Sequence, residues 1–463
     1  PSLLIFDDYQ HISKHSWFHE MIHIGLSKIP EGITLIIISR TEPPPILIRP
    51  CLNRQMAVLG WDSLRLTLEE TDEIIRSQVR EKISEETIFE LYQTTDGWAA
   101  GLILMALKAK TENVGIQLLG RYIPEEIFNY LKSETFDKTD EEIQDFLLRT
   151  ALLPGITVNI AEKLSDHSHA ERILSELCHN NCFTEKHFLS EPVYQYHPLF
   201  KKFLFSRALE TFPKKHLLEL CRRAALLLEE TDQPEAAFSL LHEAGDTYGK
   251  AKLIIVYAPG MLTQGKHQRL GEWLETLPKD IVEDTPRLLY WKALCYLPFD
   301  PGLSRHYFIK AYEGFRQQEN VTETLLAWSG IIEAITYSFE NFTELDRWIQ
   351  VLNPLIGEAG DIFTENIEIR VTSRMFMALL IRQPDHSEIE TWAERAVLLT
   401  DGCSRFKADN LLILFQLILY RMYKGDFRMA ETALKSLRQL TRSGDGATPL
   451  DQIRTGYAEA IYY

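Results

Sequence analysis

The sequence predicts a mostly α fold class: a partial α/β domain at the N-terminus, then helical and wing-bearing domains, then α-solenoid repeats. Three observations carry this. Strand signals are confined almost entirely to the first fifth of the 463 residues. Apolar residues recur at helical spacing from Leu66 onward. A helix, a Gly-Asp turn and a second helix return in the C-terminal half. At about 150 residues per domain, the length corresponds to roughly three domains.

Taken in order, Leu3–Phe6 is an apolar run ending in Asp7-Asp8, and Thr34–Ile38 is a β-branched run ending in Ser39-Arg40. Both read as fully buried strands of a parallel sheet, being short and continuous rather than alternating. Between them, His15–Lys28 places Trp17, Phe18, Met21, Ile22 and Ile24–Leu26 at helical spacing. Strand, helix, strand is one right-handed crossover unit. Two strands do not complete an open α/β sheet, so the sequence is expected to begin inside a domain. The proline-rich TEPPPILIRP, residues 41–50, is expected to be extended or turning. Thr67 with Glu70 three residues on has the pattern of a capping box. Residues 96–110 form a short apolar helix, and from Glu125 to about Arg207 helices alternate with the run Val193–His197, which looks like a wing strand.

From Ala208 the chain is helix upon helix. Phe238–Ala251 and Leu414–Leu434 each carry an apolar helix, a Gly-Asp turn and a helix with small residues at Ala251, Ala430 and Ala433. Ile309–Phe315 and Trp392–Leu398 fit as further second helices. Small residues that permit close packing are how tetratricopeptide-type solenoids are built; a plain orthogonal bundle is the competing arrangement.

Composition narrows the function classes. Lys and Arg number 49 against 66 Asp and Glu, giving a net charge of −17, which disfavours a long contact with phosphate backbones. Six scattered cysteines make no disulfide framework, and a reduced, cytoplasmic setting is expected. No stretch approaches the roughly 20 apolar residues that span a bilayer, so no membrane partner is expected. Cys178, Cys182, His179 and His187 have a loose zinc-like spacing without a second ligand pair, and read as ordinary core or surface residues.

Two strand ends carry chemistry. An acid at the carboxyl end of a parallel strand lies where ligands bind in open α/β sheets, so Asp7 and Asp8 are candidates to hold Mg²⁺ and orient water; solvated loop acids are the alternative. Arg40, ending the next strand, would place a guanidinium at the same edge, able to reach a terminal phosphate. No GxxxxGK[ST] loop occurs in the 463 residues. His197 follows the wing strand and precedes Pro198, a position suited to capping a helix.

FDDYQHI, then SRTEPPPILIRPCLNRQMAVLGWDSLRLTLEE, TDGWAAGLILMAL and YHPLFKKFL resemble, in order and spacing across residues 1 to about 300, the large ATP-binding regulators of the LuxR family. These belong to the STAND class of signal-transducing ATPases. The resemblance implies residues 1–65 as the C-terminal part of a nucleotide-binding domain, 66–120 as a helical domain, 121–207 as a winged helix, 208–277 as a helical arm and 278–463 as an incomplete repeat sensor. It implies Asp7 as the Mg²⁺-coordinating acid, Asp8 as the water-positioning acid and Arg40 as the sensor arginine. Gly97 matches the glycine of a Gly-x-Pro motif whose Pro touches adenine, although Ala99 takes the Pro position here. His197 matches the winged-helix histidine on the β-phosphate of ADP. ATP or ADP and Mg²⁺ are the implied cofactors.

Partners implied are an inducer, small molecule or protein, on the repeats, and further copies of the chain on activation. DNA would be reached only through a domain outside this sequence. The intact protein would be a slow regulatory ATPase. Two other readings compete: a helical-repeat scaffold with a degenerate nucleotide-binding remnant, and a STAND head fused to a different effector enzyme. Without a Gly-rich loop and its Lys to cradle phosphates, residues 1–463 alone are expected to bind adenine nucleotide weakly and to hydrolyse none. Calorimetry checks this, and sub-micromolar ATP binding would contradict it.

Overall fold

A computed structural model of the chain describes all residues except 1, 14, 31, 79–82, 113–123, 181, 189–190, 360–363, 401–406 and 443–448. The chain divides into two compact units, Pro1–Gly245 and Asp246–Tyr463, so the division falls inside the segment read as a helical arm.

The first unit begins with β1 (Ser2–Phe6) and β2 (Ile33–Ile37), paired parallel with Ser2 opposite Ile33 and Phe6 opposite Ile37. The helix Trp17–Leu26 between them is capped by Ser16, whose hydroxyl accepts from the Phe18 N–H. One side of this pair is covered: Tyr9, Ile22 and Leu47 are buried, with Phe6, Phe18, Leu35 and Ile37 packed against them. The strands are not fully buried as their composition suggested. Leu3, Leu4 and Ile5 are each more than half exposed, because the described chain brings no further strand or second covering layer to the sheet.

The proline-rich stretch is also corrected, since Pro45–Leu52 is a helix. Pro45 occupies the first turn, where its missing N–H has no intrahelical partner to lose, and Leu47 anchors the turn in the core. The capping box is present at the head of Leu68–Gln78: Glu70 N–H donates to Thr67 Oγ1 at 3.2 Å and Thr67 N–H to Glu70 Oε2 at 2.8 Å. That helix packs with Glu85–Thr95 and Ala99–Glu112.

Beyond Glu125–Glu134, the helices Glu141–Thr150, Val158–Ser165 and Ala170–His179 lead into an antiparallel hairpin of β3 (Thr184–Phe188) and β4 (Pro192–Tyr196), followed by the helix Pro198–Thr211. Three helices and a hairpin of this order form a winged helix. Sequence reading found β4 and missed β3, whose TEKHF has only one large apolar residue. Tyr196 joins the wing to the helices, its hydroxyl 2.7 Å from Thr150 Oγ1 with both residues buried.

The second unit is helical throughout its described residues. Pro286–Tyr296, Val321–Ser338, Glu365–Arg382, Lys407–Tyr423 and Pro449–Tyr462 each pack on the next of this series. Between them, Pro301–Gln317, Leu345–Ala359, Ile389–Thr400 and Phe427–Arg442 pack on their chain neighbours. This alternation is a stacked helical-hairpin arrangement, not an orthogonal bundle. Its turns repeat one geometry: a left-handed residue precedes the cap at Glu319-Asn320 and Gly425-Asp426, and the cap side chain accepts from the third N–H beyond it.

Close packing between hairpins fixes Gly330, where a Cβ would lie 2.5–2.7 Å from three ring carbons of the buried Phe308. Gly330→Ala is therefore expected to destabilise the second unit by about 1–3 kcal/mol through overpacking, despite the better helix propensity of Ala. The urea midpoint of the two proteins checks this.

Candidate functional site

The strand-edge acids and arginine lie together. β1 turns sharply after Phe6: Asp7 Oδ1 accepts from the Asp8 N–H at 2.8 Å, and Asp8 adopts a left-handed conformation, φ +52°. The exits of both strands are tied by Ile38 N–H to Phe6 O at 2.8 Å and Tyr9 N–H to Ile38 O at 3.0 Å. Gln10 then bridges the two edges. Its Nε2 donates to Asp8 Oδ1 at 2.8 Å and its Oε1 accepts from the Arg40 N–H at 3.1 Å. The Arg40 side chain, more than half exposed, reaches Glu134 Oε2 at 3.0 Å, an oxygen that also accepts from Lys138 Nζ at 2.9 Å. These bonds hold the Glu134 carboxyl below its ordinary range, Lys138 contributing most.

Asp7 and Asp8 form an oxygen-donor pair suited to Mg²⁺, which takes one or two protein carboxylates and completes its shell with water and phosphate. Arg40 stands beside them with a phosphate-matching guanidinium. The metal side of a nucleotide site therefore fits these residues, whereas a Gly-rich phosphate cradle is not among the 463.

Gly97 and His197 form a second group. Gly97 has φ +74°, and a Cβ there would lie 2.5 Å from Arg65 Cγ and 2.6 Å from Leu66 O. Its own carbonyl accepts from the Leu66 N–H at 3.0 Å, and the Arg65 guanidinium pairs with Asp96. Here the glycine serves a tight backbone crossing; Ala99 simply opens the next helix.

His197 caps Pro198–Thr211, with Nδ1 accepting from the Leu199 N–H at 3.2 Å and Nε2–H donating to Thr95 O at 2.9 Å. Trp61, Trp98 and Phe183 surround the ring at centroid distances of 6.0, 6.1 and 5.7 Å. Burial in this cage pushes the His197 pKa down to about 4, the Arg65 charge adds to the depression, and the Thr95 bond opposes it. Both ring nitrogens are engaged by the protein, as the capping reading requires, so a phosphate contact needs Nε2 to leave Thr95.

One helix spans the two groups. On Glu125–Glu134, Tyr130 lies 5.7 Å from the Trp98 ring, and Glu134, one turn on, pairs with Arg40. Sequence reasoning missed Gln10, Trp61, Arg65 and Glu134. The first three stand inside the motifs quoted above, while Glu134 had no local signal.

A winged helix follows an acid- and arginine-bearing parallel strand pair in the same compact unit. Residues 132–216 match the family described as the MalT winged helix domain. The chain is 26% identical over 297 residues to the HTH-type transcriptional regulator MalT of Klebsiella pneumoniae strain 342, and 24% identical over 294 residues to that of Vibrio campbellii. Each match covers 63% of this chain and about a third of the relative, 33% and 32% respectively. Among solved structures, a Signal Transduction ATPase with Numerous Domains (STAND) protein with a tetratricopeptide repeat sensor from Pyrococcus horikoshii superposes on 99% of this chain and 65% of its own, with TM-score 0.48 and 16% identity. Residues 132–216 thus carry a winged helix of the MalT type, within a chain that is similar to MalT regulators over 63% of its length.

A histidine whose folded pKa is depressed binds its proton less readily than in the unfolded chain, so stability is lost as pH falls through the window from 6.5 to about 4. Across that window the loss is on the order of 3 kcal/mol. His197→Asn keeps a capping acceptor without the titration and is expected to flatten the profile. Urea unfolding of both proteins at pH 7, 5.5 and 4 checks this.

Proposed function

We propose that this chain is the switch portion of a signal-responsive STAND ATPase, a transcriptional activator of the LuxR type. The observation that carries the reading is the Arg40–Glu134 pair. It sets the strand-edge guanidinium, the group best suited to sense a phosphate, on a residue inside the MalT-type winged helix segment. A change in what Arg40 contacts is thereby felt by the winged helix.

Asp7 and Asp8 hold Mg²⁺, which when bound offsets phosphate charge, and Arg40 meets the terminal phosphate. His197 exchanges its Thr95 contact for a β-phosphate oxygen of ADP and so keeps the resting form closed. An inducer on the helical repeats, with ATP, favours an open form that self-associates and presents DNA-binding domains carried elsewhere on the polypeptide; slow hydrolysis resets it. The inducer must bind the open form more tightly than the closed one, since equal affinity shifts nothing. The similarity to MalT regulators supports transcriptional control and a cytoplasmic setting. The scaffold reading predicts the same fold with no nucleotide response.

His197→Asn in the full-length protein separates these readings, because it preserves a cap acceptor and removes Nε2. Loss of a hydrogen bond to a charged phosphate, about 1.5–3 kcal/mol, is expected to speed ADP release tenfold or more and to raise inducer-independent activity. An unchanged off-rate removes the sensor role, and absence of any ADP binding to the wild type removes the switch reading itself.

A further inference from the structure

The described side chains of the second unit hold a row of polar groups on successive members of the same helix series. Arg374, on Glu365–Arg382, is buried and paired with two acids. It donates to Asp409 Oδ1 at 2.9 Å, Ser373 Oγ at 3.1 Å and Glu333 Oε2 at 2.9 Å. Both carboxylates are thereby committed to one arginine.

Arg370 lies one turn earlier on the same face of that helix. Its contacts differ in kind. Among the described residues it makes no ion pair, and its one hydrogen bond runs from Nη1 to the hydroxyl of Tyr290 at 3.2 Å; its occluded Nε, like that of Arg374, has no partner. The side chain is half-buried, so the guanidinium is neither sealed in the core nor fully hydrated. Glu333 and Asp409 act on it at longer range, Arg374 opposes them, and Tyr290 is almost wholly buried beside it. A guanidinium has five donors in a planar fork matched to carboxylate and phosphate, and here the fork is positioned by a phenol instead of being neutralised by an acid. In a chain of net charge −17, a partly desolvated cation without a paired acid is the unusual case.

We propose that Arg370, with the Tyr290 hydroxyl holding its orientation, anchors an anion site on the second unit, taking one carboxylate or phosphate group of a small ligand. Glu333, Asp409 and Arg374 form the rigid floor that fixes the helix bearing it. This deepens the ligand-sensing part of the function proposed above by naming the chemical class of the ligand. Its test involves no nucleotide, so either reading can fail without the other.

The experiment measures thermal unfolding and calorimetric binding for the 463-residue chain, Arg370→Gln and Tyr290→Phe. The probes are potassium phosphate and sodium succinate, each against chloride at equal ionic strength. The wild type is expected to show a saturable rise in Tm in the millimolar range that Arg370→Gln abolishes, with affinity about fivefold weaker in Tyr290→Phe, the loss of one hydrogen bond. Saturation matters because excluded salts stabilise proteins without saturating. A response to phosphate alone assigns the site to phosphate esters, and a response to succinate alone assigns it to carboxylic acids. No saturable response, or the same response in Arg370→Gln, overturns the proposal. If Arg370→Gln does not fold, Tyr290→Phe decides: unaltered affinity for the responding anion overturns it equally.

Discussion

The first unit depends on one neutral imidazole. His197 joins two helices from different parts of the chain because its nitrogens play opposite roles: Nδ1 accepts from the first turn of Pro198–Thr211, and Nε2–H donates to the last turn of Glu85–Thr95. Only the uncharged ring has both an acceptor and a donor. Protonation would remove the acceptor and place a charge among Trp61, Trp98 and Phe183. The cage that makes the charged form costly is therefore the same set of contacts that makes the neutral form a link. The sharp turn at Asp96-Gly97, which directly follows Thr95, fits within it because Gly97 has no Cβ to meet Arg65 and Leu66.

Around that link the candidate chemistry has a mechanical connection. Tyr130 and Glu134 project from one helix, the first against Trp98 and the second onto Arg40. An exposed ion pair such as Arg40–Glu134 adds little to stability. Its significance is positional: it ties the exit of β2 to the helix that also carries Tyr130. Asp8 is held differently. Gln10 bonds both its carboxylate and the Arg40 backbone, which holds the two strand edges together.

In the second unit the ordering principle is repetition. A left-handed residue followed by a capping Asp or Asn reverses the chain at Gly245-Asp246, Glu319-Asn320 and Gly425-Asp426. Arg374 with its two acids is a buried network within this stack. Such networks are weak evidence for stability but position the elements that bear them, and here the bearing helix also carries Arg370.

Sequence alone determined what local physics controls. The crossover unit followed from β-branched runs and a helical period, the Thr67–Glu70 box from reciprocal capping, the repeat turns from Gly-Asp, and the His197-Pro198 cap from the demands of a first helical turn. Asp7, Asp8 and Arg40 were legible because strand ends mark sheet edges. Tertiary structure decided whatever depends on partners distant in sequence. Pro45–Leu52 became a helix because Leu47 finds a core; β3 exists because β4 pairs with it, not because TEKHF favours a strand. Glu134 reached Arg40 across 94 positions, and Nε2 of His197 reached Thr95 across 102. Periodicity and capping act over a few residues and are written in the local order of side chains. Burial, ion pairing and the state of a caged imidazole arise only when remote segments exclude water together.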